Sequence, residues 1–347
     1  MSNSKHEFAI ATTVVSSKPK ANSVISKKNY SVKEVLIEKL LLAFTVLSSI
    51  LILFIMAFVM GKSLPVLQAN GLGFILEKGW DQHFIEAWVT GREVKTLTFG
   101  ALPLIAGTVY TTIGALAVAV PLGMGCAIFL VELCPDWLQK PLISIVRLLA
   151  AIPSVVYGLV GLMVIVPYIA NNFITTEMAL DFIHIVALDG TSLLAGIIVL
   201  SLMIVPIFIA LASDALKAVP RQYKEASLAL GVSHWRTILK ILIPTARKGI
   251  IAGLVLAAGR AVGEAIALSM VTGSVANLPS TSHGFVFFLE PMRTLASTIV
   301  DNAEGMGVPA IESALFACAT LLLFSCILLS LFSRLILGDL RKGGSSE

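Results

Sequence analysis

Charge is what this chain has least of. Asp, Glu, Lys and Arg make up 13% of its 347 residues and hydrophobic residues 57%, where soluble domains run near 25% charged and about 45–50% apolar. With a mean hydropathy of +0.92, the composition excludes a water-soluble enzyme and implies an integral membrane protein. Cysteine is sparse too. Cys126, Cys134, Cys318 and Cys326 show no zinc-ligand spacing, and three of them fall inside apolar runs, where a thiol is a small hydrophobe. None of the five histidines (His6, His83, His184, His234, His283) lies in a long apolar run, which argues against an intramembrane haem. A nucleotide-binding loop is missing: Gly61-Lys62-Ser63 needs another glycine five residues before Gly61, and that place holds Met56. No His-Glu-x-x-His, paired carboxylates or Ser-His arrangement occurs within the runs. The expectation is therefore no enzyme, no cofactor, no metal, and energy supplied by another subunit.

What is present is lipid-compatible sequence. A bilayer core needs about 20 mainly apolar residues per helix, and six stretches supply them: 37–60, 102–131, 142–169, 191–213, 249–272 and 311–337. The expected organisation is a tail over 1–36, a membrane domain over 37–337 and a second tail over 338–347. The first run is too long and too far from the start to be a cleaved signal. Between runs, 19 Lys and Arg fall on the side of the termini and the 214–248 connection, against 5 on the other, with Arg260 completing the 25. The positive-inside rule places the termini and 214–248 in the cytoplasm. Runs one and six contain neither Gly nor Pro, while Pro103, Pro121, Pro153, Pro167 and Pro206 interrupt the middle runs. Irregular backbone at membrane depth must be covered by protein or line a cavity, so spans two to five are expected to form a pathway-lining core. Spans one and six read as a lipid-facing brace or as plain anchors.

The 214–248 connection carries a pattern of its own. Pro220 suits a first helical turn, Gly231 a C-terminal cap and Ser233 the cap of a second helix. A helix, turn and helix of about twenty-five residues are expected there, with small Ala226 and Ala229 beside Glu225 on the first. On physical grounds alone, docking into a partner's groove and lying on anionic lipid fit equally. Inside the membrane, Arg260 and Glu264 are spaced four apart, one turn of span five. An arginine at the bilayer centre costs about 2.5–3.5 kcal/mol on insertion scales, so it needs a partner or a task. A structural ion pair is one reading. The other uses Gly259 and Gly263 to make room beside a guanidinium whose planar fork suits an oxyanion, with Glu264 holding and partly neutralising it so that the anion is not trapped. Pro153-Ser154 marks a helix break at which Ser154 either lines the path or merely sits in a kink.

Several stretches carry a resemblance. Glu225-Ala226 followed by Gly231 and Ile241-Leu242-Ile243-Pro244 resembles the EAA coupling signature of ABC importer permeases, with Ser227 in place of the second alanine, which implies coupling helices over 214–246 with Glu225, Ala226, Ser227 and Gly231 as contact residues. Gly107-Thr-Val-Tyr-Thr-Thr, Pro121 to Glu132, Leu149-Ala-Ala-Ile-Pro-Ser-Val-Val-Tyr-Gly158 and Gly259-Arg-Ala-Val-Gly-Glu-Ala265 are similar to the permease of phosphate-specific ABC transporters, nearer its C-type than its A-type subunit, over roughly 40–337. The resemblance implies an all-α type I ABC importer permease with six transmembrane helices in a bacterial-type inner membrane. It also implies a second permease subunit, two ATPase subunits on the cytoplasmic face and an external phosphate-binding protein, with no nucleic acid. Arg260 and Glu264 would then lie on the phosphate path. An importer of another oxyanion (sulfate, molybdate, phosphonate) remains an alternative, and an ATP-independent anion transporter or channel a weaker one, since no inverted repeat relates 37–169 to 191–337.

Overall fold

The computed structural model describes residues 32–91 and 98–342, with side chains between 36 and 335. The expected tails fall largely outside this range, over 1–31 and 343–347; helix occupies 32–36 and 338–342. The elements used below are α1 (Val32–Asn70), α2 (Trp80–Thr90), α3 (Leu102–Leu133), α4 (Asp136–Ala150), α5 (Ser154–Phe173), α6 (Leu193–Lys217), α7 (Arg221–Ala229), α8 (His234–Val262), α9 (Ile266–Val271), α10 (Leu295–Asp301) and α11 (Pro309–Lys342). Among the described residues, six helices are long and apolar enough to cross a membrane: Leu36–Asn70, Leu102–Leu133, Ser154–Phe173, Leu193–Lys217, His234–Val262 and Pro309–Leu335.

The chain divides into two compact units, Met1–Ile55 and Met56–Glu347. The described part of the first is a helix apolar on every side, the pattern of a membrane span. Its few hydroxyls return to the backbone: Thr45 donates to the Leu41 carbonyl at 2.8 Å, and Ser49 to that of Thr45 at 2.8 Å. These hydroxyls are thereby satisfied within the helix, as hydrocarbon surroundings require. In the second unit, the end of α1 meets the start of α11 through Lys62–Glu312 at 2.9 Å, the Val66 N–H on Ser313 at 3.1 Å, and an edge-on contact of Phe58 with Phe316.

The second unit is built around α6, apolar throughout and mostly buried, with α3, α4, α5, α8 and α9 packed against it. Close approach of α5 to α9 requires Gly158, where a Cβ would stand 2.9 Å from the Ala267 Cα. Between α9 and α10, the chain folds back over α3: the Leu295 N–H donates to Thr108 Oγ1 at 3.0 Å. Arg293 is held there by Asp81 at 3.0 Å, Asp301 at 3.7 Å and the Ser274 carbonyl.

Prolines set the irregularities. π-helical turns at Phe129–Leu133, Gly161–Ile165 and Ile238–Leu242 each end two residues before a proline (Pro135, Pro167, Pro244). In each, the residue just before the proline donates to the carbonyl five back: Cys134 to Phe129, Val166 to Gly161, Ile243 to Ile238. A proline has no N–H, and its ring crowds the carbonyl four back; widening the turn by one residue relieves both.

Two expected spans are corrected. The run 142–169 is two helices, because the chain leaves helical geometry at Ala151–Pro153 and Pro153 disfavours helix at the residue before it. The half before the break, α4, buries no residue and carries Arg147, which reaches Asp214 at 3.5 Å; the span is Ser154–Phe173. The run 249–272 begins too late and ends too late. Its helix starts at His234, so the second coupling helix and span five are one continuous rod, and it stops at Val262.

Candidate functional site

Span five delivers Arg260 to an open groove. The α8 wall of this groove, about 740 Å3 in volume, consists of Ala252, Leu256, Gly259 and Arg260 with their neighbours. The Gly259–Gly263 spacing does not bring another helix close. A Cβ at Gly259 would meet nothing within 4 Å, and one at Gly263 would meet only carbonyls of its own turn. The glycines keep space open beside an exposed guanidinium.

Glu264 does not neutralise that guanidinium. α8 ends at Val262, and Gly263, Glu264 and Ala265 turn the chain into α9. Glu264 is 8% exposed, and its Oε1 accepts the Ala267 N–H at 3.1 Å, holding the first turn of α9 as a capping side chain does. Among the described residues, no carboxylate lies within 4.0 Å of Arg260. The expected one-turn ion pair is thus corrected, since an i,i+4 pair needs continuous helix and the helix stops between the two. A guanidinium with five donors and no carboxylate partner is free to take an oxyanion in bidentate fashion.

Ser154 heads α5 at the expected break and is half-buried, but it does not line the groove; Ala150, at the end of α4, does. The Thr111 hydroxyl is taken up by the Gly107 carbonyl at 2.7 Å.

At the basic end, α7 presents Glu225 and Ala226 outward. Gly231 turns the chain with φ +76°, a conformation L side chains rarely adopt. Ser227 is corrected from contact residue to internal joint. It is 3% exposed, and its hydroxyl lies 2.9 Å from that of Thr237 across the turn. A residue missed in the sequence, Glu132, completes the joint from the end of α3. With its side chain 7% exposed, its Oε2 accepts from Lys224 Nζ at 2.6 Å and stands 3.3 Å from His234 Nε2. Its signal was a lone carboxylate closing an apolar motif, but the partners lie 92 and 102 residues away. With α7 clamped to α3 and α8, exposed Tyr223, Leu228, Leu230 and Trp235 form an apolar crown, Leu230 being 84% exposed.

Fold and sites together define a multi-pass helical membrane protein with an open groove that carries an arginine, and a helical hairpin tied down at its basic end. The chain belongs to the family of binding-protein-dependent transport system inner membrane components, which its residues 119–342 match. It is similar to the phosphate transport system permease protein PstC of Mesorhizobium japonicum, 34% identical over 255 residues covering 71% of this chain and 72% of the relative. It is similar as well to PstC of Pasteurella multocida, 31% identical over 253 residues covering 71% and 77%. The probable ABC transporter permease protein YqgH of Bacillus subtilis is 42% identical over 183 residues, 53% of this chain; that match spans about half the relative's length, 55%.

Proposed function

We propose that the chain is the membrane-spanning permease subunit of an ATP-driven importer that moves inorganic phosphate into the cytoplasm. The observation that carries the reading is similarity at 31% and 34% identity, over 71% of the chain, to phosphate transport system permease proteins. The unpaired Arg260 on an open groove supports it: an anion released by an external binding protein meets a fork of donors that no carboxylate among the described residues engages in an ion pair. Binding there has to be weak enough for release, and a single guanidinium on an open wall meets that condition.

The basic end is cytoplasmic on the distribution of Lys and Arg. Two ATPase subunits lie on that face, one of them docked on the crown of α7, and a second permease subunit faces the groove. Because α7 is tied to α3 by Glu132 and to the start of α8 by Ser227–Thr237, a push on α7 moves the rod that carries Arg260. Alternating access then exposes Arg260 first to the outside and, after hydrolysis, to the cytoplasm.

The direct test is reconstitution of the assembled transporter with its ATPase and binding protein in proteoliposomes. Phosphate uptake should require ATP and withstand excess sulfate or molybdate. ATP-independent uptake, or a preference for sulfate, defeats the proposal. The coupling route has its own expected result. Glu132→Ala removes a charge-assisted contact worth about 1 kcal/mol, a low figure because its partners are partly solvated. ATP hydrolysis should persist while phosphate uptake per ATP falls; an unchanged ratio removes Glu132 from the route.

A further inference from the structure

The groove that holds Arg260 has a second wall. It comes from α11, whose Cys326, Ser330, Ser333 and Arg334 line the same cavity. With Leu329 among them they occupy one broad side of the helix, and that side carries two hydroxyls and a guanidinium in a helix otherwise apolar enough to span a membrane. Successive spans run in opposite directions, so residues 326 to 334 pass alongside residues 260 to 252. Along α11, Arg334 lies eight residues beyond Cys326, about 12 Å nearer the basic end at 1.5 Å per residue.

The hydroxyls on this face differ from the others in α11. Thr320 and Ser325 donate to carbonyls of their own helix, at 2.9 Å and 2.7 Å, the usual refuge of a hydroxyl in lipid. Among the described residues, Ser330 and Ser333 have no such partner, and Arg334 makes no ion pair. Two like charges that share one groove repel each other, and a chain this poor in charge retains both without a carboxylate between them. An anion that passes along the groove would satisfy each in turn.

We propose that Arg334, with Ser330 and Ser333, forms an inner anion station that receives an oxyanion from Arg260 and passes it to the cytoplasm. The inference rests on the permease reading above and adds to it a specific exit for an oxyanion such as phosphate. Arg334 offers the fork of donors and the two serines offer single hydroxyl donors, a set suited to the several oxygens of a tetrahedral oxyanion.

Cys326 is a native reporter for this groove. In the assembled transporter, in inside-out membrane vesicles, Cys126, Cys134 and Cys318 are replaced by alanine. Cys326 is then treated from the cytoplasmic face with an anionic or a cationic methanethiosulfonate, and modification of this chain is read by mass spectrometry. The anionic reagent should react faster, and millimolar inorganic phosphate should slow it. Arg334→Gln should lower the anionic-to-cationic rate ratio about three- to tenfold, as expected for loss of one charge at roughly 12 Å in partly screened surroundings; Arg334→Lys should keep it. A ratio unchanged in Arg334→Gln overturns the proposal and leaves Arg334 as an anchor at the lipid–water boundary, and a Cys326 unreactive from that face overturns it equally. Should Arg334→Gln fail to assemble, phosphate protection with Arg334 in place decides, and absence of protection counts against the station. ATP-driven phosphate uptake is measured in parallel. Its absence alongside a charge-sensitive Cys326 defeats the permease reading and not the station, and uptake alongside an indifferent Cys326 does the reverse.

Discussion

Arg260→Gln should abolish most phosphate uptake while leaving assembly and ATP hydrolysis in place. The side chain is exposed and has no ion-pair partner among the described residues, so its replacement leaves no buried charge behind and should not unfold the protein. What is lost is the charge-assisted contact with the anion. Such contacts contribute about 1.5–3 kcal/mol, which predicts a fall of about 10- to 150-fold in uptake. Arg260→Lys keeps the charge and loses the planar fork, so it should lie between the two. Glu264→Gln should act differently, because Glu264 holds α9 through the Ala267 N–H and touches no guanidinium: a modest loss of stability, with phosphate affinity little changed. Full uptake by Arg260→Gln would remove this residue from the path.

Gly107→Val should prevent accumulation of the folded chain. A Cβ at residue 107 would run into the Arg293 carbonyl oxygen and stand 3.1 Å from its carbon, and backbone cannot swing aside as a side-chain tip can. The 292–295 segment has to move off α3. That breaks the Leu295–Thr108 bond and pulls Arg293 from Asp81 and Asp301. Overpacking of this kind costs about 1–3 kcal/mol and at times more; valine's two methyls and the lost ion pairs put it at the upper end. Yield after membrane extraction and the melting temperature of the purified complex both measure it. A Gly107→Val chain that melts with the parent would show that α3 and the 292–295 segment do not meet this closely.

The two predictions draw on different information. Arg260 stands out in the sequence because a guanidinium amid apolar residues is costly wherever the fold puts it. Gly107 could be noted only as one residue of a motif, since nothing local shows that a carbonyl 186 positions later comes to rest against it. Glu132 is similar: its charge is visible, but its tie to Lys224 and His234 depends on how α3 meets α7. Ser227 appeared to be one small residue in place of another. Only the fold turns it inward, where its hydroxyl has a partner.

The sequence by itself determined six apolar helices, the basic side of the membrane, and a helical turn-back between spans four and five, though not that its second helix runs on into span five. It also carried the prolines that widen three turns. These follow from properties a residue has alone or with neighbours a turn away: transfer from water to hydrocarbon, net local charge, a missing N–H. Only the tertiary structure decided where span five stops, that Glu264 holds α9 and leaves Arg260 unpaired, and that α11 lays Arg334 along the same groove. Those outcomes rest on contacts between segments distant in the chain, and a helix end inside an apolar run leaves the hydropathy unchanged, so no local reading of the residues registers it.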